Sequence, residues 1–115
     1  MTSLPNVTEE DFSREVLFSP VPVVVDVYAN WCGPCRALAP LLDRLASHYV
    51  DRLRFVKVDA DEEQEIVRCY RVEGLPTILI FQNGQLVDRV VGLSDLRALM
   101  AKLEPLAAAG VATRS

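Results

Sequence analysis

Two of the three cysteines in this chain stand three residues apart in the stretch "NWCGPCR", Asn30 to Arg36, where Gly33 and Pro34 separate Cys32 from Cys35. A C-x-x-C pair can be half of a metal site, a permanent staple, or a redox couple that opens and closes during turnover. A zinc site normally takes four ligands, and the remaining soft donors are the distant Cys69 and a single histidine, His48. A staple closing so small a loop would add little stability, and it would not persist in a reducing cell. The spacing therefore points to thiol–disulfide exchange.

The surrounding residues fit that chemistry. The pair follows an apolar, β-branched run and opens a segment with helical periodicity, so Cys32 is expected at a helix N-terminus. Backbone N–H groups lack partners there and the helix dipole favours negative charge, so a thiolate is stabilised. Cys35 lies on the same face, one turn deeper. Cys32 is thus the expected nucleophile, and Cys35 the thiol that resolves the mixed disulfide. Pro34 suits a first helical turn, where its missing N–H would be unpaired anyway. Gly33 lets a substrate backbone come close. Trp31, directly ahead of a cysteine expected to be exposed, reads as a shield for the site. Asp26 sits inside "VVVDVY", six residues before Cys32, with valines on both sides. Burial there disfavours its charged form and makes it a proton acceptor near neutral pH, with the Cys35 thiol as its client. "GLPT", Gly74 to Thr77, places Pro76 ahead of another apolar run. On general grounds an X-Pro bond is trans, and the residues alone do not show otherwise.

The elements that must position these groups alternate. Thr8 followed by "EEDF" predicts a capped helix to about Phe18, ended by Pro20 and Pro22. Val23 to Ala29 reads as a buried strand, and Pro34 to Tyr49 as a long helix that Pro40 should kink. Leu53 to Val58 is a second strand, and "DEEQEIVRCYRV" a short helix on which Cys69 should be partly buried beside Ile66 and Tyr70. "TILIF" and "LVDRVV" flank Asn83-Gly84, a hairpin signal. Ser94 caps a last helix to about Leu106, and residues 107–115 read as a frayed tail. A weak first strand is expected at Leu4 to Val7. The pattern implies a three-layer α/β sandwich with a parallel core and an antiparallel hairpin at its edge.

Composition narrows the function classes. The chain has 115 residues, half of them apolar, and a net charge of −4, as expected of one soluble domain over residues 1–115. No basic cluster suggests a nucleic-acid partner, and no apolar stretch is long enough to cross a bilayer. The N-terminal "MTSLPNVTEEDF" does not look like a secretory signal, so a reducing cytoplasm is the expected setting.

Together "WCGPC", Asp26, "KVDAD", "GLPT", the Asn83-Gly84 turn and "VGL" resemble the thioredoxin family in order and spacing, over about residues 6–105. The resemblance implies a central mixed sheet of four or five strands with helices on both faces. It makes Cys32 the attacking and Cys35 the resolving cysteine, Asp26 the buried acid–base group, and Lys57 the neighbour that tunes Asp26. It implies a cis bond before Pro76, redox tuning by Gly33 and Pro34, and substrate contacts at Trp31, Gly74, Leu75, Pro76, Gly92 and Leu93. Backbone pairing at Leu75 would explain broad specificity, since main-chain hydrogen bonds ignore side-chain identity. No cofactor is implied beyond the cysteine pair. The implied partners are a flavin- and NADPH-dependent thioredoxin reductase and diverse disulfide-containing proteins, met by a monomer. Val27, Tyr28 and Arg36 depart from residues common in bacterial members, and Cys69 is outside the motif.

Three functions compete. A general protein-disulfide reductase fits the motif. An oxidase or isomerase usually carries His between the cysteines and an export signal, and neither is present. A thioredoxin-fold subunit that binds without turnover would not need the Cys32, Cys35 and Asp26 set.

Overall fold

The computed structural model describes residues 3–92 and 96–114, with side chains described through residue 109. Four strands form the sheet: β1 (Val23–Tyr28), β2 (Arg54–Asp59), β3 (Thr77–Gln82) and β4 (Gln85–Val91), in the order β2-β1-β3-β4. β1 and β2 run parallel, whereas β1–β3 and β3–β4 are antiparallel. The sheet is therefore mixed, and its parallel part is a single pair rather than the core expected from the alternation of elements. Leu4 to Val7 does not form a full fifth strand. Asn6 makes one bridge to Lys57, with Val7 N–H donating to the Lys57 carbonyl at 2.8 Å. The β3–β4 turn has Asn83 at φ 54° and Gly84 at φ 79°, the doubly positive pair of a type I′ hairpin. Gly84 is required for a second reason, because a Cβ there would stand 3.0 Å from the Leu17 carbonyl oxygen.

Helices cover both faces. α1 (Gly33–His48) and α3 (Leu96–Arg114) lie on one side, where Leu38, Leu42, Leu45, Leu99 and Leu103 pack with Val24, Ile78 and Ile80. α2 (Gln64–Cys69) and a π-helical turn (Ser13–Leu17) lie on the other, where Val16 and Ile66 pack with Val25, Val27, Val56, Leu79 and Phe81. Alternate residues of β1 feed opposite cores, as the period of a strand requires. Val24, Asp26 and Tyr28 therefore share the face covered by α1.

Two local expectations change. The first helix is shorter than the run from Thr8 to Phe18. Thr8 and Asp11 instead close a reciprocal turn, with Thr8 N–H on Asp11 Oδ1 at 2.7 Å and Asp11 N–H on Thr8 Oγ1 at 3.4 Å. The segment expected to fray is helical as far as Arg114, because Ala107 is buried in the core and the alanines around it are strong helix formers. The Ser94 cap lies outside the described residues.

Candidate functional site

Cys32 is the N-cap of α1, with extended backbone at φ −85° and ψ 107°, and Pro34 falls in the first turn. Its Sγ accepts the Cys35 N–H at 3.2 Å, satisfying one of the unpaired donors of the helix end. Cys32 and Cys35 form a disulfide across a Cα separation of 5.3 Å. Tyr28, Ala29 and the partly buried Leu75 enclose the pair. Cys32 is consequently buried, with 4% of its surface accessible, while Trp31 is 69% exposed. Cys32 is therefore not the exposed cysteine the sequence suggested, and the Trp31 indole N–H donates to Asp61 Oδ2 at 3.0 Å.

Asp26 is buried as its valine neighbours suggested, on the face of β1 that also carries Tyr28. Among the described residues its Oδ1 has no hydrogen-bond partner. Burial pushes its pKa up to about 7, and the positive charge of Lys57 opposes that rise. Lys57 is paired with Asp26 in register across β1 and β2. Its ammonium stands 5.4 Å from the centre of the Tyr28 ring, a cation–π contact over a residue that lines the cysteine pair.

The Leu75–Pro76 bond is cis. Thr77, fully buried, donates its hydroxyl to the Gly74 carbonyl at 2.5 Å and so fixes the turn before β3. Gly92, at φ 64°, donates its N–H to the Pro76 carbonyl at 2.8 Å. That link joins the end of β4 to the proline loop. A cleft of about 890 Å³ runs beside the pair, with Trp31, Gly74 and Leu75 in its wall. The fold thus gathers Trp31, Cys32, Cys35, Leu75 and Pro76 from two separate parts of the chain, with Gly92 tied to Pro76 from a third. Leu93 lies outside the described residues.

Two contacts of the site gave no sequence signal. Asp61 is one acid among several in "DADEE", and only the fold puts it under the Trp31 indole. Arg36 bends back toward the active-site turn, with Nη1 donating to the Asn30 carbonyl at 2.7 Å. Cys69 is exposed rather than partly buried. Ile66, Val67 and Tyr70 set the inward direction of α2, and Cys69 falls on the flank of that face. Among the described residues no group of acidic, histidine or cysteine side chains could hold a metal ion.

Comparison with known proteins gives a consistent picture. The model of the family described as Thioredoxin matches residues 3–105. The chain is 43% identical over 104 residues to thioredoxin 1 of Nostoc sp., covering 90% of this chain and 97% of that protein. It is 48% identical over 86 residues to thioredoxin 1 of Synechococcus elongatus, covering 75% and 80% of the two chains. It also matches a bifunctional thioredoxin reductase/thioredoxin of Mycobacterium leprae, 42% identical over 97 residues, or 84% of this chain and 21% of that protein.

Proposed function

Because the chain belongs to the thioredoxin family of thiol–disulfide oxidoreductases, we propose that it reduces protein disulfides through Cys32 and Cys35, with Asp26 and Lys57 governing the proton. The observation that carries the roles is a disulfide at a helix N-cap beside a strand face bearing a buried carboxylate with an unpaired oxygen.

In the reduced protein the Cys32 thiolate attacks one sulfur of a substrate disulfide. A Cys32–substrate bond forms, and the other substrate sulfur leaves as a thiolate that takes a proton. Cys35 then gives its proton to Asp26 and attacks the Cys32 sulfur, which releases the second substrate thiolate. Two electrons have passed to the substrate, and the Cys32–Cys35 disulfide remains. A carboxyl group with a pKa near 7 is matched to this step, since it can accept a proton and return it at neutral pH. Lys57 keeps that value from rising further.

The substrate chain lies along Trp31, Gly74, Leu75 and Pro76, with Gly92 at its far side and Gly33 and Pro34 allowing close approach. Leu75, packed against the disulfide, offers main-chain groups to an extended segment. The protein works as a monomer without a bound cofactor, in the cytoplasm. Among the described residues no helix is long and apolar enough to cross a membrane. A flavin- and NADPH-dependent thioredoxin reductase returns the electrons, a partnership supported by the fusion of both activities named in the Mycobacterium leprae relative. Insulin reduction, driven by dithiothreitol or by NADPH with thioredoxin reductase, tests the proposal. Turnover above the rate without this protein is expected, and its absence with both reductants would overturn the reading.

A further inference from the structure

The segment between α2 and β3 belongs to neither a helix nor a strand, yet residues 71–75 all line the cleft beside the cysteine pair. Such a stretch keeps one shape only if other elements engage its backbone groups. Its first residue, Arg71, has φ 53°, a left-handed conformation that residues with a side chain seldom adopt without support. The helix end supplies part of that support. The N–H groups of Tyr70, Arg71 and Val72 turn back to the Ile66, Arg68 and Val67 carbonyls and close α2. The carbonyls of Tyr70 and Arg71 lie past that closure and need donors from elsewhere.

The donors come from β4. Arg89, half-buried on that strand, donates from Nη2 to the Tyr70 carbonyl at 2.8 Å and from Nη1 to the Arg71 carbonyl at 3.4 Å. Two residues further along the same strand face, Val91 approaches Gly74. A Cβ added to Gly74 would stand 3.7 Å from Val91 Cγ1, an ordinary contact distance. Next to it, Gly92 N–H reaches the Pro76 carbonyl at 2.8 Å. One strand therefore meets the cleft-lining segment at its start, near its end and just beyond it. Arg89 holds the start.

Resting on the thiol–disulfide reading above, we infer that Arg89 is a positioning residue for protein substrates: from β4 it clamps the Tyr70 and Arg71 carbonyls and so holds residues 71–75 in the shape against which a substrate chain lies. A guanidinium suits the place, because its planar fork offers several donors at once to neighbouring carbonyls. Arg89 acts through the backbone of the cleft wall and takes no part in the exchange at sulfur. Its effect is therefore selective. A disulfide within a protein chain depends on the wall, and a small disulfide with no chain to lay along it does not.

The test compares wild type, Arg89→Met and Arg89→Lys, each fully reduced and then oxidised in a single turnover. Two oxidants are used: insulin, whose disulfides lie within a protein chain, and hydroxyethyl disulfide, which has no chain. In each case two electrons pass from the Cys32/Cys35 dithiol to the added disulfide. Acid quenching, alkylation of the remaining thiols and mass spectrometry follow the rate. Arg89→Met is expected to react with insulin roughly ten-fold more slowly, the factor for losing one hydrogen bond from a charged group at the lower end of its range. Its rate with hydroxyethyl disulfide should stay within about two-fold of wild type, since that reaction uses the cysteine pair alone. Arg89→Lys keeps a charged donor for one carbonyl and should lose only about three-fold with insulin. Equal losses with both oxidants in Arg89→Met would overturn the inference and assign Arg89 to general stability. Unchanged rates with both would overturn it as well. If circular dichroism shows that Arg89→Met does not fold, Arg89→Lys decides: slowing confined to insulin supports the clamp, and parallel rates with the two oxidants overturn it. Wild type that is oxidised by neither disulfide sinks the reductase reading and this inference together. Wild type active with both, and no contrast in the variants, sinks this inference only.

Discussion

Two helix ends in this protein carry a cysteine, and they are opposite ends. Cys32 caps the N-terminus of α1, where its sulfur accepts a backbone N–H and is enclosed by Tyr28, Ala29 and Leu75. Cys69 is the last residue of α2, where the backbone presents carbonyls, and its side chain is exposed. Accessibility alone would single out the wrong thiol. What distinguishes Cys32 is a backbone donor at the sulfur, a partner cysteine one turn deeper and a buried carboxyl group on the preceding strand. Reactivity follows the electrostatic environment of a thiol more than its exposed area.

The comparison is broken most severely at Cys32. Cys32→Ser should reduce insulin no faster than the reaction without protein, whereas Cys35→Ser should still attack and then stall. Mass spectrometry should find substrate bound to Cys32 in the second variant. Substrate trapped on Cys35 in Cys32→Ser would show that the roles are exchanged.

Asp26 comes next. Its pKa is raised from 3.8 to about 7, so folding disfavours ionisation of this group. The stability it contributes is fully present below about pH 4 and is lost as pH rises toward 7, after which the loss is constant. That difference corresponds to at most about 4 kcal/mol. Asp26→Asn should therefore be more stable than wild type by roughly 2–4 kcal/mol at pH 8, less whatever the buried amide costs. The two proteins should converge near pH 3, and the variant should resolve its mixed disulfide more slowly at neutral pH. Urea midpoints at both pH values check the sign, and a destabilised variant at pH 8 would remove the buried-acid account.

A smaller effect is expected at Lys57. Because its charge lowers the Asp26 pKa, Lys57→Met should push that value above about 7. Resolution near pH 7 should slow accordingly, since less Asp26 is free to accept a proton. Titration of the Asp26 carboxyl by NMR measures this directly, and an unchanged or lower value would break the pairing.

Least affected should be Cys69→Ala, which replaces an exposed side chain with no hydrogen bond among the described residues. Stability should stay within about 0.5 kcal/mol and insulin reduction at the wild-type rate. Loss of most activity, with circular dichroism unchanged, would mean that the second helix end participates after all.

Much of this was written in local sequence. The cysteine spacing, the valines around Asp26, the Asn83-Gly84 turn and the helical period of Leu38, Leu42 and Leu45 each specify something within a few residues, through backbone preference or burial pattern. They carried the α/β class, the redox pair and the buried acid. Neither the mixed strand order nor the reach of α3 followed from them. Strand direction depends on which edges meet, and a helix end depends on whether Ala107 finds a core to enter.

Tertiary structure alone decided what surrounds the pair. Trp31 points outward because Asp61, thirty residues on, holds its indole N–H. Cys32 is buried because Leu75 arrives from the loop before β3. Gly92 supports Pro76 because the hairpin returns β4 beside β3. Local sequence determines which residues can carry charge, turn or donate. Which of them meet is set by long-range packing, whose contacts leave no periodic or compositional mark on the chain.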